Sequence, residues 1–307
     1  MKVLFYGSGA FAIPTFEALH AGGHEILALV TQPDRGSGRG RTLSPPPVKA
    51  AALARGIPVL QPERVKTDPE ALRRLGPEIQ VVVAYGQILP KSVLAIPPRG
   101  TVNLHGSLLP LYRGAAPVAW AVLKGEKETG VSTMLLDEGL DTGPILLQES
   151  TPIGDEETAG ALLSRLATIG APLVGRTLLG LEAGSLVPRP QDATRASLAP
   201  ILRKEDGRLD WNEPAEALAR RVRAFSPWPG THASLEGRLL KILRAAPSGM
   251  ASAPPGSVLG VLGDALRIAS GEGTALALLE VRPESRKAMS GAAFAQGARL
   301  SPGARLG

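Results

Sequence analysis

The chain has 307 residues, of which 44% are apolar and 20% charged, enough for two domains with buried cores. No apolar run approaches the roughly 20 residues needed to cross a bilayer, and the apolar stretch in the opening MKVLFYGSGAF is too short for a secretion signal. A cytoplasmic protein with no membrane partner is therefore expected. The sequence contains no cysteine, which excludes disulfides, thiolate metal sites and cysteine nucleophiles.

The net charge of +6 is unevenly placed: residues 1–188 hold 17 basic and 17 acidic side chains, while residues 189–307 hold 17 and 11. A neutral module followed by a polyanion-binding one would give this pattern, and so would a solubilising surface.

In chain order, KVLFYG (2–7), EILALVT (25–31), EIQVVVAYG (78–86) and TVNLHG (101–106) read as buried strands, with helical stretches at 10–20, 46–55 and 68–75 between them. This alternation predicts an α/β fold with a Rossmann-like, mostly parallel sheet, and a ligand beyond the carboxyl ends of its strands. GVSTMLL (130–136) and GPILLQES (143–150) are too close in sequence for a crossover helix, so they predict an antiparallel pair with Asp141 in the connection. Residues 156–183 carry helical periodicity. The composition changes after Val187, and the Pro-rich, polar 189–205 reads as a linker. A helix over 214–227 and short strands from 232 onward then predict a small OB-like β-barrel. The expected domains are 1–188 and 206–307.

Gly7-Ser8-Gly9-Ala10-Phe11-Ala12 follows the first strand and has the spacing of a dinucleotide fingerprint, with Asp34 placed as a ribose-binding acid. A tight strand-to-helix turn needs the same glycines for steric reasons alone. The stretch from Gln32 to Ser44 carries Arg35, Arg39 and Arg41 spaced by glycine, a composition that suits phosphate contact or a solvated loop.

Asn103 is one of only two asparagines. In the strand ending N-x-H, Asn103 and His105 point to one face. An amide donor beside an imidazole, with a carboxylate nearby, suits attack of an amine on a carbonyl: the amide stabilises an oxyanion and the imidazole supplies charge or a proton. Ser107 lies in no nucleophile-elbow setting, so direct transfer is expected rather than a covalent intermediate. Few residues could serve as metal ligands, and no metal is expected. Taken alone, His105 also fits a core histidine bonded to a backbone carbonyl.

Asn103-x-His105-x-Ser107-Leu108-Leu109-Pro110, with Asp141 in L-D-T-G, resembles the formyltransferases that use 10-formyltetrahydrofolate. Thr31-Gln32-Pro33-Asp34, Ala84 to Pro90, Arg113 to Pro117, and Arg223 to Pro229 narrow the resemblance to the bacterial branch that acts on methionyl-initiator tRNA. The resemblance implies Asn103, His105 and Asp141 as catalytic residues. It assigns Ser107, Leu108, Leu109, Pro110, Tyr85, Gly86, Gln87 and Ile88 to the folate, and Arg35, Arg39 and Arg41 to the tRNA. It further implies a monomer whose second domain is basic and OB-like. A formyltransferase for a small amine, a dehydrogenase resting on the Gly7–Ala12 turn, and a non-catalytic RNA-binding protein are the competing readings.

Overall fold

The computed structural model describes residues 1–37 and 42–307. The chain divides into two compact units. The first comprises residues 1–117, 128–152 and 163–200, and the second comprises 118–127, 153–162 and 201–307. Among the described residues no helix is long and apolar enough to cross a membrane.

The first half forms β1 (Lys2–Gly7), α1 (Ile13–Ala21), β2 (Glu25–Val30), β3 (Arg35–Ser37), β4 (Thr42–Ser44), α2 (Pro47–Leu53), β5 (Val59–Leu60), α3 (Pro69–Arg74), β6 (Ile79–Val83), α4 (Lys91–Leu94) and β7 (Thr101–His105). Next come β8 (Arg113–Gly114), α5 (Pro117–Lys124), β9 (Glu128–Leu135), β10 (Ile145–Pro152) and α6 (Ala159–Glu182). Local chemistry sets several of these boundaries. At α3, Pro69 begins the helix and the Asp68 side chain accepts from the Ala71 amide at 2.9 Å, satisfying a donor that has no partner within the helix.

Seven strands make one sheet in the order β10-β9-β7-β6-β1-β2-β5. The five from β7 to β5 are parallel, while β9 runs antiparallel to β7 and β10 antiparallel to β9. The central strands are buried on both faces, so β1 and β6 are apolar at almost every position rather than alternating; the exceptions are the exposed Lys2 and Gln80, whose buried amide accepts from Thr101 Oγ1. From β1 the chain moves outward to β2 and β5, then returns across β1 to β6 and β7. The order reverses between β1 and β6, the position at whose carboxyl end open α/β sheets bind their ligands.

The second half forms β11 (Leu198–Ala199), α7 (Ala215–Ala224), β12 (Thr231–Leu235), β13 (Arg238–Met250), β14 (Val258–Leu262), β15 (Ala265–Ser270), β16 (Thr274–Pro283), β17 (Met289–Ser290) and α8 (Gly291–Gly297). Strands β12-β13-β16-β15-β14 pair antiparallel in that order. The last residues close the gap between the two outer strands. The Val258 amide donates to the Ala304 carbonyl (2.8 Å) and the Leu306 amide to Gly256 (2.9 Å), while Gly307 and Ser234 exchange a pair of backbone hydrogen bonds. The result is the small OB-like barrel. Its core takes Ala215, Leu218, Ala219 and Val222 from α7, the i, i+3, i+4, i+7 stripe of an amphipathic helix.

Candidate active site

The Gly7–Gly9 turn sits at the switch point, but its polar groups are spent within the protein. The Ser8 and Gly9 amides both donate to the Ala84 carbonyl (3.2 and 3.4 Å), and Ser8 Oγ donates to the Tyr85 carbonyl at 3.0 Å. Asp34 is likewise engaged. Lys49 Nζ donates to both of its oxygens (2.9 and 2.7 Å), and Gln61 Nε2 donates to one at 2.7 Å. These bonds, Lys49's first, hold the Asp34 carboxyl below its ordinary range. The Ser8 and Gly9 amides and the Asp34 carboxylate are thus already engaged within the protein, so the turn serves as a structural seam.

The neighbouring loop is different. Gln87 is bracketed by the Val65 amide and the Pro62 and Glu63 carbonyls, and Tyr85 is 2% exposed, with its ring edge-on to Tyr6. Burial pushes the Tyr85 hydroxyl up to about 12. Gly86 has φ +87°, and Ile88 is 85% exposed. Among the described residues, the backbone groups of Gly86 and Ile88 have no partner. Unpaired donors and acceptors beside an exposed apolar side chain leave this loop open to a ligand.

On β7, Asn103 and His105 are 8% and 6% exposed and lie opposite Met134 and Ser132 of β9. The Asn103 amide makes no intramolecular hydrogen bond among the described residues, so it is available to a ligand. His105 Nε2 lies 2.9 Å from the Tyr112 carbonyl. A carbonyl only accepts, so Nε2 carries the hydrogen and Nδ1 is the ring's exchangeable position. Nδ1 lies 3.6 Å from Asp141 Oδ2, too long for a hydrogen bond and close enough for a strong charge interaction. The Gly114 amide donates to the same Oδ2 at 2.8 Å. Asp141 and Tyr112 both hold left-handed backbone, at φ +51° and +59°, a conformation that L-residues keep only when their surroundings enforce it.

Segment 107–110 is fixed mostly from within. Ser107 is fully buried and its hydroxyl donates to the Leu111 carbonyl at 2.6 Å. Ser132 Oγ donates to the Ser107 carbonyl (2.6 Å) and accepts from the Leu109 amide (3.0 Å), while Gln148 Nε2 donates to the Leu109 carbonyl (3.0 Å). Leu109 is buried, leaving Leu108 and Pro110 as the half-exposed members.

The residues read as the start of a linker supply what sequence reasoning missed. The Tyr112 amide donates to Ser197 Oγ (2.8 Å) and the Arg113 amide to the Ser197 carbonyl (2.8 Å), and β11 pairs with β8. Gln191 bonds Arg113, Asp141 and Gly143 together. Polar, proline-rich composition conceals this strap, and no periodicity announces it. Arg35 opens a short β3–β4 hairpin and its guanidinium reaches Gln32, whereas Arg39 and Arg41 lie outside the described residues.

Residues 1–178 match the family described as Formyl transferase, and residues 201–299 match Formyl transferase, C-terminal domain. A methionyl-tRNA formyltransferase of Solibacter usitatus is 50% identical over 310 residues, which cover all of this chain and 99% of that protein. The chain belongs to the methionyl-tRNA formyltransferase family. A second methionyl-tRNA formyltransferase, from Myxococcus xanthus, is 47% identical over 99% of this chain and 97% of its own. Two solved structures share the fold. An N-formyltransferase from Helicobacter canadensis in complex with folinic acid and dTDP-3-aminofucose has a TM-score of 0.68 at 18% identity, over 91% of this chain and 98% of that one. HypX from Aquifex aeolicus in complex with tetrahydrofolic acid has a TM-score of 0.66 at 19% identity, over 96% of this chain and 47% of that one.

Proposed function

We propose that the chain transfers the formyl group of 10-formyltetrahydrofolate to the α-amino group of methionyl-initiator tRNA, with Asn103, His105 and Asp141 as the reacting side chains. The observation that carries the chemistry is His105 Nδ1 facing Asp141 Oδ2 at 3.6 Å beside an unengaged Asn103 amide. The neutral amine attacks the formyl carbon, and the carbonyl oxygen becomes an oxyanion that accepts from Asn103 Nδ2–H. Nδ1 takes the proton released by the amine, and Asp141 stabilises the resulting imidazolium. That proton then passes to N10 of the folate as the C–N10 bond breaks, which balances the reaction with no external acid or base. Leu108, Pro110 and the Gly86–Ile88 loop receive the folate in this reading.

The tRNA substrate, rather than a small amine, is supported by the second unit. Backbone pairing aligns Arg208, His232, Lys241 and Arg282 in one rung across the barrel. Facing like charges destabilise a sheet, and Arg208, Lys241 and Arg282 have no ion-pair partner among the described residues. Burial, then Lys204, Arg208 and Lys241, hold His232 below its ordinary range. An electropositive rung kept at that cost is explained by a phosphate backbone lying along it. Arg35, Arg39 and Arg41 reach the acceptor end of the tRNA. The protein works as a monomer in the cytoplasm, where translation starts.

The test is formyl transfer from 10-formyltetrahydrofolate to methionyl-tRNA, with uncharged tRNA and amino-sugar nucleotides as control acceptors. Turnover confined to methionyl-tRNA is expected, and equal turnover of a small amine would refute the assignment.

A further inference from the structure

We infer that Gln191 is a positioning residue for catalysis: its amide sets the Asp141 carboxylate against His105 by holding two separate loops at once. The inference rests on Asp141 acting as proposed above. Gln191 Nε2 donates to the Asp141 carbonyl at 2.8 Å and the Gly143 carbonyl at 2.7 Å. Its Oε1 accepts from Arg113 Nε at 3.1 Å and Nη2 at 2.8 Å. Arg113 and its neighbours carry the other half of the site, since the Tyr112 carbonyl receives His105 Nε2 and the Gly114 amide holds Asp141 Oδ2. One side chain therefore fixes the distance between the loop bearing the carboxylate and the loop that orients both partners.

The chemistry demands glutamine. The position requires two N–H donors and an acceptor with two lone pairs in one planar group. Glutamate has no donor, lysine no acceptor, and asparagine is a methylene short. The demand is sharpened by Asp141's left-handed backbone at φ +51°, which relaxes unless its carbonyl is held. Gln191 is itself anchored, because Arg189 and Ile145 exchange two backbone hydrogen bonds of 2.8 Å on one side and β11 pairs with β8 on the other.

The decisive experiment is a double-mutant cycle on kcat for formyl transfer to methionyl-tRNA. Gln191→Glu keeps the acceptor for Arg113 and turns carboxylate oxygens towards two carbonyls. We expect kcat to fall about 10- to 100-fold, with KM for tRNA and for the formyl donor changed less than about twofold. In an Asp141→Asn background the same substitution should cost less than about twofold, because the group it positions is already gone. A merely structural bracket would lower kcat equally in both backgrounds, and that result, or wild-type kcat in Gln191→Glu, overturns the inference. If Gln191→Glu does not fold, Arg113→Met cuts the other half of the clasp. A several-fold loss of kcat absorbed by Asp141→Asn supports the inference, and an equal loss in both backgrounds overturns it. Asp141→Asn with wild-type kcat is a separate result, which strikes down the catalytic reading of Asp141 itself.

Discussion

Asp141→Asn isolates the charge at the centre of the site. The amide is isosteric and its oxygen can still accept from the Gly114 amide, a 2.8 Å bond in the wild type, so the loop should keep its place. What disappears is a negative charge 3.6 Å from His105 Nδ1. At an effective dielectric near 20, an imidazolium and a carboxylate at 3.6 Å attract by about 4 to 5 kcal/mol. Asp141 is 15% exposed, and the screening this allows leaves about 3 to 4 kcal/mol. That attraction exists only once Nδ1 holds the amine's proton, so it belongs to the transition state and should appear in kcat rather than KM. The expected loss is about 10²- to 10³-fold. The assay is single-turnover formyl transfer with saturating methionyl-tRNA and 10-formyltetrahydrofolate, alongside a thermal melt. A variant that melts like wild type and keeps more than about a tenth of its rate would remove Asp141 from the mechanism.

Gly114→Ala should destabilise the protein by about 2 kcal/mol, because the residue sits at φ +118° and a Cβ would come within 2.8 Å of the Ala199 carbonyl; an unchanged urea midpoint would contradict this. Tyr85→Phe removes a buried hydroxyl that lacks a partner and should stabilise the fold by about 1 kcal/mol without altering the KM for the formyl donor; a raised KM would mean that the phenol contacts the folate. Lys241→Glu with Arg282→Glu should lower the salt slope of tRNA binding by about 2 while sparing the donor, and an unchanged slope would take the tRNA off the barrel's basic rung. Asp34 has a folded-state value below its ordinary 3.8, so its stabilising effect is present above that pH and is lost as pH falls through the folded value. The stability gap between wild type and Asp34→Asn should therefore close on acidification below about pH 4, and a gap that widens would reverse the sign of the argument.

The sheet was legible because its strands announce themselves: the apolar runs Val3–Tyr6 and Val81–Tyr85 lack the alternation of a half-exposed strand, and the six-residue connection 137–142 is too short for a crossover helix. The barrel was legible from the spacing of its turns. Asn103 and His105 were readable as a pair because strand periodicity places them on one face. Other features depend on pairing between distant residues, which composition does not encode. The glycine turn after β1 has dinucleotide-like spacing, yet Ala84, 75 residues or more downstream, consumes its amides. Ser107 and Tyr85 lie in segments attributed to the folate, but the structure turns their side chains inward. Residues 189–199 look like a connector because a strap held by backbone and amide hydrogen bonds needs no apolar stripe.

That strap bears on how the protein can be cut or recombined. A fragment ending at residue 188 would retain Asn103, His105 and Asp141 and lose every atom that Gln191, Ser197 and Ala199 contribute to their loops. The family matches stop at 178 and resume at 201, so a chimera joined by sequence similarity alone would place its seam inside the strap. Grafting a barrel from a relative calls for a junction after Pro200, the last of the three points at which the chain passes from the first compact unit into the second.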